Sequence, residues 1–139
     1  MVRIVYWSGT GNTEAMANAV ADGVKNGGAE VEILSVAAAE ESILESEVLL
    51  FGCPAMGAEE LEESEFEPFF SSIESRLRGK KVGLFGSYDW GDGEWMRVWQ
   101  QRAEAAGAQM LADGVIAHNE PDAAAIAACE ELGRLAANT

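Results

Sequence analysis

The sequence predicts an α/β fold, a three-layer sandwich in which helices cover both faces of a five-stranded parallel sheet. Two observations predict this fold class. Short apolar runs alternate along the chain with segments of helical periodicity, and strands that alternate with helices form open parallel sheets. Two of the runs, Val48–Gly52 and Lys81–Gly86, are almost continuously apolar, as expected of strands buried on both faces.

The remaining strands are predicted from shorter patterns. Val2–Tyr6 is apolar and β-branched, and Val115–Ala117 has the composition expected for the core of the last strand. In Glu30–Leu34, Val31 and Ile33 alternate with glutamates. This alternation predicts a strand with one solvated side, at the edge of the sheet.

The helices are predicted from apolar residues three and four positions apart and from the residues that end them. Asn26-Gly27-Gly28 stops the first helix, since glycine commonly follows a helix end. Residues 37–46 are rich in Ala and Glu, which favours a short helix. The sequence pattern is weaker in this stretch than elsewhere in the chain. The longer helices are predicted at Thr13–Gly27, Phe66–Leu77, Glu94–Ala106 and Ala123–Ala137. Because no linker or repeat interrupts this order, residues 1–139 are expected to form one domain.

The charge balance excludes several classes of partner. The chain of 139 residues carries 24 Asp and Glu against nine Lys and Arg, a net charge of −15. Such a surface repels nucleic acids and anionic membranes and favours basic proteins. Cys53 and Cys129 are far apart in sequence, so we expect reduced packing residues and no metal site. The first residues lack a signal-peptide pattern and no apolar run could span a bilayer, so we expect a cytoplasmic protein.

The first predicted strand leads into a segment suited to holding a phosphate. Residues 8–13 read Ser-Gly-Thr-Gly-Asn-Thr and run directly into the first helix, whose N–H groups and dipole favour an anion. The side chains in this segment add hydrogen-bond donors but no charge. Glu14 stands where a dinucleotide-binding motif needs its third glycine, and the lysine of a P-loop is missing. The alternative is a plain glycine-rich turn capped by Thr or Asn.

Three segments of the sequence resemble the cofactor-binding loops of short-chain flavodoxins: residues 6–14, 52–57 and 85–93. With the element order and the chain length, the resemblance covers essentially all 139 residues. It implies a flavodoxin-like strand order of 2-1-3-4-5 with the ligand at the carboxyl ends of the strands. It also implies non-covalently bound FMN and a low-potential one-electron carrier that shuttles between semiquinone and hydroquinone.

The resemblance assigns residues to the FMN site. Met56 is expected to pack on one face of the isoalloxazine and Trp90 on the other. Tyr88, on the same loop as Trp90, is either a second ring wall, which we favour, or a loop anchor, whereas Trp7, Trp95 and Trp99 are expected to be structural. The residues expected to bind the cofactor are Ser8, Gly9, Thr10, Gly11, Asn12, Thr13, Pro54, Ala55, Met56, Gly57, Ala58, Glu59, Ser87, Tyr88, Asp89, Trp90 and Gly91, together with Asn119, whose loop is expected to edge the cleft.

The resemblance also implies how the potential is set. The peptide after Gly57 is expected to turn over so that its carbonyl accepts a hydrogen bond from flavin N5, a change that glycine makes easy. Glu59–Glu67 contains six glutamates, which are expected to oppose added negative charge and to lower the potential. Asp89 and Ala58 depart from the family pattern, because these positions are often glycine and a polar residue, respectively.

The expected partners are redox proteins with basic docking faces, and the expected state is a monomer. The alternative is an FMN-dependent NAD(P)H or quinone reductase. Such an enzyme needs a second substrate pocket, usually built by added segments, and this chain has no spare length for one. A phospho-receiver domain would carry aspartates after its first and third strands, where this chain has Trp7-Ser8 and Cys53-Pro54.

Overall fold

A computed structural model describes residues 1–57 and 59–139 of the chain. The predicted strands and long helices are present, with their ends moved by up to three residues. The stretch predicted as a short helix instead forms two 3-10 helices, Val36–Ala38 and Glu41–Glu45. No helix among the described residues is long and apolar enough to cross a membrane. The strands are β1 (Val2–Tyr6), β2 (Val31–Ser35), β3 (Val48–Gly52), β4 (Lys81–Tyr88), β5 (Gln109–Met110) and β6 (Val115–His118), and the helices are α1 (Asn12–Asn26), α2 (Phe66–Glu74), α3 (Glu94–Ala105) and α4 (Ala123–Ala137).

The strands form a parallel sheet in the order β2-β1-β3-β4-β5, with β6 also paired to β4. This confirms the order 2-1-3-4-5 but corrects the number of strands, because the fifth strand is split into β5 and β6. Between the two pieces, the Gly114 amide donates to Gln100 Oε1 of α3, 3.1 Å away. The chain therefore leaves β4 after Leu111, whose amide donates to the Val82 carbonyl, and rejoins it at Val115.

Two apolar layers cover the sheet, as the three-layer prediction requires. Residues of α1 and α4 pack on one face against Ile4, Leu50 and Phe85. Residues of α2 and α3, among them Trp95 and Trp99, pack on the other face. Because successive strand residues point to opposite faces, the apolar runs of β3 and β4 supply both layers. Both cysteines are buried free thiols, as expected.

Two glycines bring the backbones of α1 and α4 into direct contact. A β-carbon on Gly23 would lie 2.0 Å from the carbonyl oxygen of Glu130, and one on Gly133 would lie 2.1 Å from that of Val20. Any side chain larger than hydrogen would force the helices apart. This packing fixes α1, whose first residues form one wall of the cleft described next.

Candidate functional site

A cleft of about 300 Å³ opens at the carboxyl ends of β1, β3, β4 and β6. Its position agrees with the rule that ligands of open α/β sheets bind beyond the carboxyl ends of the strands. Apart from Trp7, each lining residue is among those that the sequence predicts for the site. The lining consists of Trp7, Ser8, Gly9, Thr10, Asn12, Thr13, Pro54, Ala55, Met56, Ser87, Tyr88, Asp89 and Asn119.

The loop between β1 and α1 directs backbone N–H groups toward a single point. Ser8 Oγ accepts hydrogen bonds from the amides of Gly11 and Glu14, at 3.1 and 3.3 Å. Gly11 has a φ of 95° at the N-cap of α1, a conformation that glycine adopts without steric cost. These hydrogen bonds fix the loop at the positive end of the helix dipole, which favours an anion.

A buried contact between hydroxyl groups joins this loop to the centre of the sheet. Thr13 Oγ1 lies 3.2 Å from Ser87 Oγ at the end of β4, and both residues are buried. The contact holds the start of α1 against β4. It therefore fixes the distance between the two walls of the cleft to which Thr13 and Ser87 belong.

The loop after β3 closes on itself in a tight turn. The backbones of Met56 and Glu60 exchange two hydrogen bonds of 2.8 and 3.0 Å. Gly57 and Glu59, at the tip, have φ values of 49° and 55°. Met56 is 38% exposed and lines the cleft, as expected of a side chain that contacts a ligand. Ala58 lies outside the described residues.

The loop after β4 carries Trp90 into solvent. Its indole is 61% exposed and does not line the cleft, so the placement of Met56 and Trp90 on opposite faces of one ring stays a prediction. Gly91 has a φ of 91°, and a β-carbon there would lie 2.5 Å from the carboxyl carbon of Glu59. Asp89 lines the cleft and is not in the left-handed region, so its departure from the family pattern costs no backbone strain.

Trp7 is the lining residue that the sequence prediction misses. Its indole is half-buried and packs over Gly9, where a β-carbon would lie 3.0 Å from the ring. Its Nε1 donates to Glu65 Oε1 at 3.2 Å. Its position between β1 and Ser8, at the same edge of the sheet as the other loops, is the signal that could have identified it.

The charge around the cleft is negative. Within the described lining there is no Lys or Arg, and Asp89 is its one carboxylate. The neighbouring run Glu59–Glu67 is not uniformly solvated, since Glu62 is buried. Arg102 donates to Glu67 at 2.7 Å and holds the pKa of that carboxyl below its usual range.

Glu62 is a buried carboxylate that caps α2. It accepts hydrogen bonds from the Ser64 hydroxyl and from the backbone N–H groups of Ser64, Glu65 and Phe66. Burial alone would raise its pKa, but these hydrogen bonds outweigh it and lower the pKa to about 2. The carboxylate therefore stays ionised and anchors the segment that leads from the cleft into α2.

Comparison with known proteins gives similarity over nearly the whole chain. A family model described as Flavodoxin matches residues 4–133. The chain is 52% identical to a flavodoxin from Megasphaera elsdenii, covering 99% of this chain and 98% of that protein. It is 47% identical to a flavodoxin from Clostridium beijerinckii, covering 99% of each. The solution structure of two-electron reduced Megasphaera elsdenii flavodoxin matches with a TM-score of 0.92 at 52% identity and covers both chains fully.

Proposed function

The chain belongs to the flavodoxin family of FMN-binding electron carriers, and we propose that its cleft holds FMN for one-electron transfer at low potential. The observation that supports this proposal most directly is that five residues of the loop leading into α1 line the cleft at the positive end of the helix dipole: Ser8, Gly9, Thr10, Asn12 and Thr13. The described lining of this cleft has no basic side chain. A phosphate would be held there by neutral donors alone.

The residues of the first loop fit a phosphate group. Phosphate oxygens are strong acceptors, and this loop supplies backbone N–H groups together with the hydroxyls of Ser8, Thr10 and Thr13. The N-terminus of α1 adds the favourable end of its dipole. The cleft volume of about 300 Å³ lies at the lower end of the range for small-molecule sites, which suits a ligand that leaves one edge in solvent.

The apolar lining fits an aromatic ring. Met56 offers a polarizable thioether, and Trp7 and Tyr88 offer aromatic surfaces on the same cleft. We assign the ring-binding position to these side chains and expect Trp90 to cover the other face. When FMN is bound it supplies the one-electron chemistry, whereas these residues orient the ring and exclude water from it.

The acidic surface lowers the reduction potential of the bound cofactor. Each carboxylate near the ring opposes the addition of negative charge during reduction, and the chain has a net charge of −15. The same charge attracts redox proteins with basic docking faces and repels other copies of this chain. We therefore propose a monomeric, cytoplasmic carrier of low potential that meets its partners transiently.

The test is to purify the protein, add FMN and record the visible spectrum during stepwise anaerobic reduction. We expect a yellow protein that takes up one FMN and accepts electrons in two separate one-electron steps. A colourless protein that fails to take up added FMN would contradict the proposal. Oxidation of NAD(P)H by the isolated, FMN-loaded protein would instead favour the reductase alternative.

A further inference from the structure

His118, the last residue of β6, is exposed and contacts two residues that line the cleft. Its Nε2 is 2.8 Å from the carbonyl oxygen of Asp89. Its imidazole packs against the Tyr88 ring, with centroids 5.0 Å apart and an interplanar angle of 34°. Tyr88 and His118 are also paired in register between β4 and β6. His118 thus contacts two consecutive residues, Tyr88 and Asp89, that both line the cleft.

The geometry defines which nitrogen carries the proton. A backbone carbonyl oxygen can only accept a hydrogen bond, so Nε2 must be the donor to Asp89. The next residue repeats the arrangement, because the Asn119 amide donates to the Tyr88 carbonyl at 2.7 Å. Two successive carbonyls at the end of β4 are therefore held by two successive residues at the end of β6.

The hydrogen bonds that restrain the following segment lie further along it, where Arg97 donates to Asp92 and the Glu94 amide donates to Glu59. Asp89, Trp90 and Gly91 are exposed. Gly91 and Gly93 have φ values of 91° and 93°, and glycine has more conformational freedom to lose than any other residue. The hydrogen bond from His118 to the Asp89 carbonyl therefore holds Asp89 in its position at the cleft.

We infer that His118 is a positioning residue for the cofactor cleft, acting by donating its Nε2–H to the Asp89 carbonyl. This inference rests on the proposed function, since FMN is the ligand whose affinity it affects. Without the donor, the Asp89 segment samples other conformations, and FMN must bind at the cost of ordering it. Loss of the net free energy of one hydrogen bond corresponds to an FMN dissociation constant that is larger by about 2- to 12-fold.

Two substitutions separate the hydrogen bond from the ring contact. His118→Phe keeps an aromatic ring against Tyr88 but removes the donor, whereas His118→Gln keeps an N–H donor without the ring. FMN dissociation constants would be measured by fluorescence titration, and amide hydrogen exchange of residues 89–93 would be followed in the FMN-free proteins. We expect H118F to weaken binding by about 2- to 12-fold and to speed exchange, and H118Q to stay closer to the wild type in both. Equal affinity and equal exchange in H118F and the wild type would overturn the inference.

A spectroscopic measurement on the wild-type protein needs neither a variant nor FMN. Nitrogen-15 NMR of His118, at a pH where the ring is neutral, distinguishes the two tautomers. Protonation at Nε2 is the expected result, and protonation at Nδ1 would overturn the inference even if every variant failed to fold. Failure of the wild type to bind FMN would refute the proposed function and would leave this tautomer result to be judged separately.

Discussion

The carboxylate of Glu59 accepts a hydrogen bond from the backbone N–H of Glu94, with Oε1 3.1 Å from the nitrogen. Glu94 is the first residue of α3, and the N-cap before it is Gly93, which has no side chain to offer an acceptor. Glu59 therefore caps this helix from the loop after β3. The contact also ties together the two loops that carry Met56 and Trp90.

Glu59→Gln is expected to weaken this cap without removing the acceptor. The loss should be about 0.3–1 kcal/mol of unfolding free energy at low salt and should shrink in high salt, because the lost term is the attraction of a charge to a helix dipole. Urea unfolding of the FMN-free protein at two salt concentrations measures the loss of unfolding free energy and its dependence on salt. Glu60→Gln is the matched control, since it removes the same charge one residue away. Equal effects of the two substitutions would contradict the capping assignment.

Glu62→Gln is expected to destabilise the protein by about 1–2 kcal/mol at pH 7, because it replaces a buried carboxylate that accepts several N–H and O–H donors. The folded protein lowers the pKa of Glu62 from an ordinary 4.5 to about 2. Its stabilising effect is thus complete above pH 4.5 and is lost as the pH falls toward 2.

Urea unfolding at pH 7, 4 and 3 tests both statements about Glu62. The difference in unfolding free energy between the wild type and E62Q should narrow as the pH falls. Glu63→Gln, at an exposed neighbouring position, should change stability little at any of these pH values. A difference that stays constant down to pH 3 would show that the Glu62 carboxylate is not held in its ionised form.

Gly23→Ala is expected to lower the free energy of unfolding by about 1–3 kcal/mol, although alanine is the better helix former. The added methyl group would lie 2.0 Å from the Glu130 carbonyl oxygen, so α1 and α4 would have to separate. Asn18→Ala, on the exposed side of α1, is the control and should not lower the stability. Thermal unfolding of both FMN-free variants is the measurement, and unchanged stability in G23A would refute the close packing.

Gly57→Thr tests the expected turning of the peptide after this residue. A β-carbon at Gly57 would meet no described atom within 4 Å, so the substitution acts through backbone preference and not through a clash. If the peptide must reorient on reduction, the gap between the two one-electron potentials should narrow by about 20–60 mV. Spectroelectrochemistry measures the gap. Gly57→Asn, which tolerates a positive φ, should change it less, and an unchanged gap in G57T would rule out the mechanism.

The cleft loops could be predicted because each motif follows its strand directly. Ser8, Met56 and Tyr88 are far apart in the sequence, but parallel strands bring their carboxyl ends to one edge. The apolar runs identify the strands, and the parallel topology that the resemblance implies brings the three loops together without any knowledge of side-chain packing.

Contacts between elements could not be predicted in the same way. Glu62 is buried and Glu63 is exposed, yet the two stand side by side in a run of glutamates. Their difference depends on the path of the chain into α2, which no local pattern encodes. The split of the fifth strand likewise depends on Gln100 reaching Gly114 from a different element.

The split of the fifth strand bears on where extra residues can be inserted into the chain. Gln109–Met110 pairs with Lys81 and Val82, and Val115–His118 pairs with Phe85–Tyr88. The Leu111 amide still donates to the Val82 carbonyl at 2.9 Å, so residues 112–114 join the two ladders of hydrogen bonds. Extra residues added at this junction would leave both ladders and the cleft loops intact. We therefore expect the fold to accept an insertion at this junction, such as a reporter peptide or a partner-specific segment, without disturbance of the cleft.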